Sequence, residues 1–166
     1  MSAPASIVRL RDRLLVIEQK LGWFPPLLAR VSVGLVFLQT GWGKLQDLDK
    51  VTSFFAELHI PAPAFQARLV AGTEFIGGAL LIVGLLSRLA ALPLAFSMVV
   101  AILTAKRDSI DGLGTLFGFE EFTYIVVFLW IAISGPGLVS LDRALGSWFR
   151  RPKKIGPVQS LAGKAA

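Results

Sequence analysis

Apolar residues gather into four runs along the chain, at 26–42, 69–86, 89–105 and 122–134, the last extending toward Gly137. Each is near the lower end of the roughly 17 to 25 residues that cross a hydrocarbon core as a helix. Ahead of them, Ile7, Leu10, Leu14, Ile17 and Leu21 recur every three or four positions, and Arg9, Arg11, Arg13, Glu18 and Lys20 fill much of the remaining surface. That spacing predicts an amphipathic helix lying on the membrane face. Trp23 and Phe24 then sit where an aromatic belt is expected, and Pro25-Pro26 presets the first turn of the first crossing. Between the first two runs, residues 47–60 predict a short outer helix with Leu48, Val51, Phe54, Phe55 and Leu58 on one side, ending before Pro61 and Pro63. The other long connection, 106–121, carries Gly112, Gly114 and Gly118. Only Ser87 and Arg88 separate the second and third runs, which predicts an antiparallel hairpin. Gly135-Pro136-Gly137 breaks the fourth run, and Ser140 is placed to cap a final interfacial helix containing Leu141, Leu145, Trp148 and Phe149.

The expected fold is all-α: an integral membrane antiparallel four-helix bundle with an amphipathic interfacial N-terminal helix. Its parts are an amphipathic segment (1–24), one four-crossing domain (25–142) and a basic tail (143–166). Composition agrees, with 54% hydrophobic and 17% charged residues and a mean hydropathy of +0.68. No cleavable signal peptide is expected, because residues 1–20 carry charges throughout.

The net charge of +6 could suggest nucleic acid, but the cations sort by side of the membrane. With four crossings, Arg9, Arg11, Arg13, Lys20, Arg30, Arg88, Arg143 and the tail cations share one face. Lys44, Lys50, Arg68, Lys106 and Arg107 share the other with Asp47, Asp49, Glu57, Asp108, Asp111, Glu120 and Glu121. The positive-inside rule then puts both termini in the cytoplasm. Attraction to anionic lipid accounts for the basic excess, and no nucleic acid partner is expected. Cysteine is absent and histidine occurs once, at His59, so thiolate chemistry, iron–sulfur clusters, bis-histidine haem and a conventional zinc site are not expected from one copy of the chain.

Candidate chemistry centres on Glu74, an acid inside the second apolar run. At that depth a carboxylate costs roughly 2.5 to 3.5 kcal/mol on insertion scales unless it is paired, protonated or hydrated. On the first helix Arg30, Gly34, Phe37, Gly41 and Lys44 form one stripe, with a cation at each end and glycines that admit a close neighbour. Because the second helix runs antiparallel to the first, Lys44 and Glu74 can share a depth. They then make either a register-fixing ion pair or a ligand or proton site. Arg30 is either a snorkelling anchor or an inward partner. Glu120 and Glu121 open the fourth helix on the outer side, near Lys106 and Arg107, so a cluster of Lys44, Glu74, Arg107 and Glu121 is geometrically open.

The segments from Arg30 through Gly34 and Thr40-Gly41-Trp42-Gly43-Lys44, Ile60-Pro61-Ala62-Pro63, the helix of Glu74, Gly77 and Gly78, Gly84 to Arg88, and Gly135-Pro136-Gly137 with Ser140-Leu141-Asp142 resemble the DoxX family over about residues 28–142. The resemblance implies a small four-helix inner-membrane protein of a bacterium or archaeon. It is related to subunits linked with thiosulfate:quinone oxidoreduction and to membrane components of redox maturation systems. It maps Arg30, Lys44, Glu74 and Glu121 onto the family's recurrent charged positions and Gly41 and Gly78 onto close-packing sites. The function expected is a membrane subunit of a quinone-linked oxidoreductase or redox complex. Glu74, Lys44 and Glu121 are its candidate catalytic residues, and Arg30, Gly41, Gly78 and Arg107 its candidate ligand-binding residues. Quinone is the expected cofactor, with no metal or haem, and membrane lipid, a redox partner protein and a second copy of the chain are the expected partners. The alternative is a non-catalytic membrane scaffold or chaperone, in which Lys44 and Glu74 merely lock the bundle.

Overall fold

A computed structural model describes residues 15, 17 and 20–149, and among these all regular structure is helical. The helices are α1 (Phe24–Gln46), α2 (Leu48–Glu57), α3 (Pro63–Val83), α4 (Ser87–Ala105), α5 (Leu113–Gly118), α6 (Glu120–Ser134) and α7 (Leu141–Phe149), with a short 3-10 turn at Arg107–Ser109. The amphipathic N-terminal helix lies largely outside the described residues. Leu15, Ile17, Lys20 and Leu21 are helical, and the three apolar ones are exposed. The tail beyond residue 149 lies outside them altogether.

Three helices, α1, α3 and α4, are long and apolar enough to cross a membrane. At about 1.5 Å per residue, the 23 residues of α1 reach about 34 Å. The 15 residues of α6 reach only about 22 Å, less than a hydrocarbon core of about 30 Å. Each long helix begins ahead of the apolar run that predicts it. Prolines at the first turn of α1 and α3 are tolerated there, since those N–H groups have no helical partner to lose. At the other end, Gly84, with φ 72°, stops α3.

The hairpin turn falls at Gly84–Leu86 and not at Ser87-Arg88. Leu86 has φ 49°, and Ser87 is already the buried first residue of α4. A polar pair between two apolar runs reads as a turn. Here the turn is made by a left-handed glycine and a leucine whose N–H is held by a distant carboxylate, Asp142.

Helix α1 lies along α3, α4 lies along α6, and α3 and α4 are hairpin neighbours, whereas α1 and α6 touch sparsely. The short helix α2 packs on α3, and the Asp47 carboxylate caps its start by accepting from the Lys50 N–H at 3.1 Å. The core is built by Phe37, Leu81, Leu94, Phe128 and Ile131. Leu89, Leu92, Phe96 and Leu103 on α4 point away from it, as a lipid-facing surface requires.

Candidate functional site

The α1–α3 contact is made backbone to backbone. A Cβ at Gly41 would sit 2.9 Å from the Glu74 carbonyl carbon and closer still to the Phe75 backbone. One at Gly78 would meet Leu38 Cα at 2.9 Å and the Gly34 carbonyl oxygen. Only glycine admits this approach, and it brings the side chains flanking the glycines within reach of each other. Gly41 and Gly78 therefore face the opposite helix and not an open space.

That approach positions the buried acid. Glu74 is 1% exposed, and Lys44, one turn beyond Gly41, donates from Nζ to its Oε1 at 2.5 Å. The Lys44 side chain stays 32% exposed, so the pair spans from interior to surface. The second oxygen, Glu74 Oε2, is buried and has no hydrogen-bond partner. A buried ion pair repays its desolvation only when the remaining lone pairs are also satisfied, so this pair is incomplete.

Glu121 repeats the arrangement on α6. Its Oε1 is 3.9 Å from Lys106 Nζ, and its Oε2 is buried without a partner. Below it, Phe37, Tyr124 and Phe128 form an aromatic group. Phe37 meets Tyr124 at 5.2 Å and Phe128 at 4.9 Å between centroids, both edge to face. Of the outer cluster expected from sequence, Lys44 and Glu74 are joined directly, and Glu121 pairs with Lys106. Arg107 is exposed on the 3-10 turn after α4 and is not brought to the acids. Lys106, the C-cap of α4, takes the place expected for Arg107, which opens the 3-10 turn that follows.

Arg30 turns inward at the opposite end of α1. It is 2% exposed and donates from Nη1 to the Pro136 carbonyl at 2.7 Å and from Nη2 to the Val139 carbonyl at 2.9 Å. The Gly84 backbone lies against its guanidinium, where a Cβ would be 2.7 Å from Cζ. Arg30 is thus spent on carbonyls freed by the break after α6, far along α1 from Lys44. Its role is that of an inward structural partner and not of a snorkelling anchor.

Asp142 completes this end and was not among the sequence candidates. Its carboxylate accepts from the N–H groups of Leu86 at 2.9 Å and Ser87 at 3.3 Å, and its own N–H donates to the Gly84 carbonyl at 3.0 Å. It lies two residues after Ser140, whose Oγ accepts from the Arg143 N–H as a cap for α7. A carboxylate in a first helical turn reads as serving its own helix, and Asp142 serves the start of α4.

The DoxX family model matches residues 26–107. "Putative oxidoreductase CatD" of Bacillus subtilis is 30% identical over 118 residues, covering 70% of this chain and 83% of that protein. "Inner membrane protein YqjF" of Escherichia coli is 32% identical over 120 residues, covering 72% and 90%. "Uncharacterized membrane protein Rv3486" of Mycobacterium tuberculosis is 36% identical over 128 residues, covering 70% and 78%. No solved structure matches the chain.

Proposed function

The chain belongs to the DoxX family, and from that premise we propose that it is the membrane subunit of a quinone-linked redox complex. The observation that carries the proposal is the half-satisfied Glu74: a carboxylate 1% exposed, held by Lys44 through one oxygen and left open at the other. An isoprenoid quinone lies between helices with its head group beside this pair and over the aromatic group. Lys44 orients the head group, and Glu74 and Glu121 exchange protons with it. A partner protein supplies or accepts the electrons, because a site of lysine, carboxylate and aromatic side chains has no two-electron carrier of its own. The name of CatD, "Putative oxidoreductase", is consistent with this assignment.

Like the relatives named as inner membrane proteins, this chain is placed in the inner membrane. Helix α6 makes a fourth, short crossing that completes a four-helix bundle and leaves both termini in the cytoplasm. The basic end of the chain then faces anionic lipid.

A second reading is favoured by the glycine contacts, which make α1 and α3 one rigid unit. In it the chain is a scaffold for a partner protein and the ion pair only fixes helix register. Glu74→Gln separates the two. A quinone site predicts a protein of near-normal abundance and melting temperature whose extractable quinone and quinone-reducing activity in membranes fall on the order of tenfold or more. Loss of abundance with no loss of activity per molecule would instead identify the scaffold. If wild-type protein purified in mild detergent contains no quinone, and a deletion strain reduces quinone normally, the quinone assignment falls.

A further inference from the structure

We propose that the cavity between the start of α1 and the chain leaving α6 binds the phosphodiester head group of an anionic phospholipid of the phosphatidylglycerol type. The site lies at the Arg30 end of the molecule, and the inference stands whatever role the Lys44–Glu74 pair plays.

The cavity has a volume of about 450 Å3, with Pro26 on one side and Ser134, Gly137, Leu138, Asp142 and Arg143 on the other. That volume falls within the roughly 300 to 1,000 Å3 of small-ligand sites. Its two sides are held together. Gly137 packs on Pro26, where an added Cβ would lie 3.2 Å from the proline Cβ. Arg30, one turn along α1 from Pro26, donates to the Pro136 carbonyl at 2.7 Å.

Charge selects the class of ligand. Among the described residues, Lys20, Arg30, Arg88 and Arg143 stand at this end with one acid, Asp142, whereas at the other end five cations meet eight acids. Asp142 is already committed, since its two oxygens accept from the N–H groups that open α4. Arg143 is exposed, and its guanidinium has no hydrogen bond or ion pair among the described residues. Ser134 is likewise exposed and its hydroxyl has no partner among them, although Ser97 and Ser147 bond back to carbonyls of their own helices. Arg88 lies against Gly135, between two residues of the cavity wall: an added Cβ there would be 3.0 Å from its Nε and Nη2.

Uncommitted donors and an excess of positive charge call for an anion that only accepts, which a phosphodiester does. The neighbouring apolar side chains choose between a lipid and a soluble phosphate. Leu138 is 53% exposed and Ile133, next to Ser134, is 77% exposed. A small hydrophilic anion leaves them bare, whereas the acyl chains of a lipid held by its head group cover them. Basic pockets between membrane helices hold anionic head groups in this way.

The test uses the full chain purified in mild detergent and titrated with phosphatidylglycerol or with phosphatidylcholine of the same acyl chains, bound lipid being counted by native mass spectrometry. Phosphatidylglycerol is expected to bind about tenfold more tightly. Arg143→Gln should weaken it about five- to tenfold, the effect of one cation near an anionic head group, and leave phosphatidylcholine unchanged. Arg68→Gln, which removes an exposed cation at the other end, should change neither. Should Arg143→Gln not fold, Ser134→Ala, which deletes one exposed hydroxyl, serves in its place with an expected loss of about threefold. Equal affinity for the two lipids overturns the proposal. Equal losses in Arg143→Gln and Arg68→Gln assign the preference to diffuse surface charge and also overturn it. Displacement of the lipid by glycerol phosphate at equal concentration makes the occupant a soluble phosphate and overturns the lipid assignment.

Discussion

Position 41 has room for a hydrogen atom and nothing larger, because the facing chain at Glu74 and Phe75 is backbone, which cannot swing aside as a side chain would. Gly41→Val is therefore expected to lower stability by about 1–3 kcal/mol or more by forcing α1 away from α3, and to part Lys44 from Glu74. Thermal unfolding in detergent measures the loss. Gly43→Ala is the control, since a Cβ there meets nothing within 4 Å. At this scale the sequence was legible where helix arithmetic suffices. Lys44 and Glu74 share a depth because antiparallel helices of known direction fix it. It was not legible at Arg30, whose acceptors are main-chain carbonyls of a broken helix end and carry no signature in residue type. Nor could it choose between Lys106 and Arg107, adjacent cations that directly follow the last residue of α4.

Among elements, α4 depends on a residue outside it. Its first N–H groups have no partner within the helix, and the Asp142 carboxylate supplies one from the start of α7. Asp142→Ala should cost about 0.5–2 kcal/mol, as the loss of a capping acceptor does, and should speed hydrogen exchange at the amides of Leu86 and Ser87. Asp142→Asn, which keeps one acceptor oxygen, should recover part of that. Only three of the four apolar runs give helices long enough to cross a membrane, but the order of the apolar helices and the cap at Ser140 were legible, because local periodicity and a capping residue determine them. The place of the α3–α4 turn was not. It is fixed by a left-handed Gly84 and by Asp142, which is 56 positions from Leu86.

Over the whole molecule, the number of crossings turns on α6, which is apolar but 15 residues long. The chain contains no cysteine, so single cysteines report on topology directly. Asp49→Cys on α2 should react with a membrane-impermeant maleimide in intact spheroplasts, and Ser147→Cys on α7 should react only in inverted vesicles. Labelling of both from outside would show that α6 does not cross. Helical class and membrane character were legible at this scale because composition alone carries them. The pairing of α4 with α6 was not, since only three-dimensional packing decides which apolar faces meet, whereas α1 against α3 was expected from the glycines and from Lys44 and Glu74.

The clasp around Arg30 also sets an order of events during synthesis. Its two acceptors come from Pro136 and Val139, 106 and 109 positions later in the chain. At about 5–20 residues per second, the ribosome takes on the order of 5 to 20 s to deliver them. For that interval the guanidinium has left the ribosome but has no permanent partner, and lipid phosphates at the membrane surface must shelter it. The α1–α3 pair can assemble early, whereas the Arg30 end closes only once translation has passed residue 142.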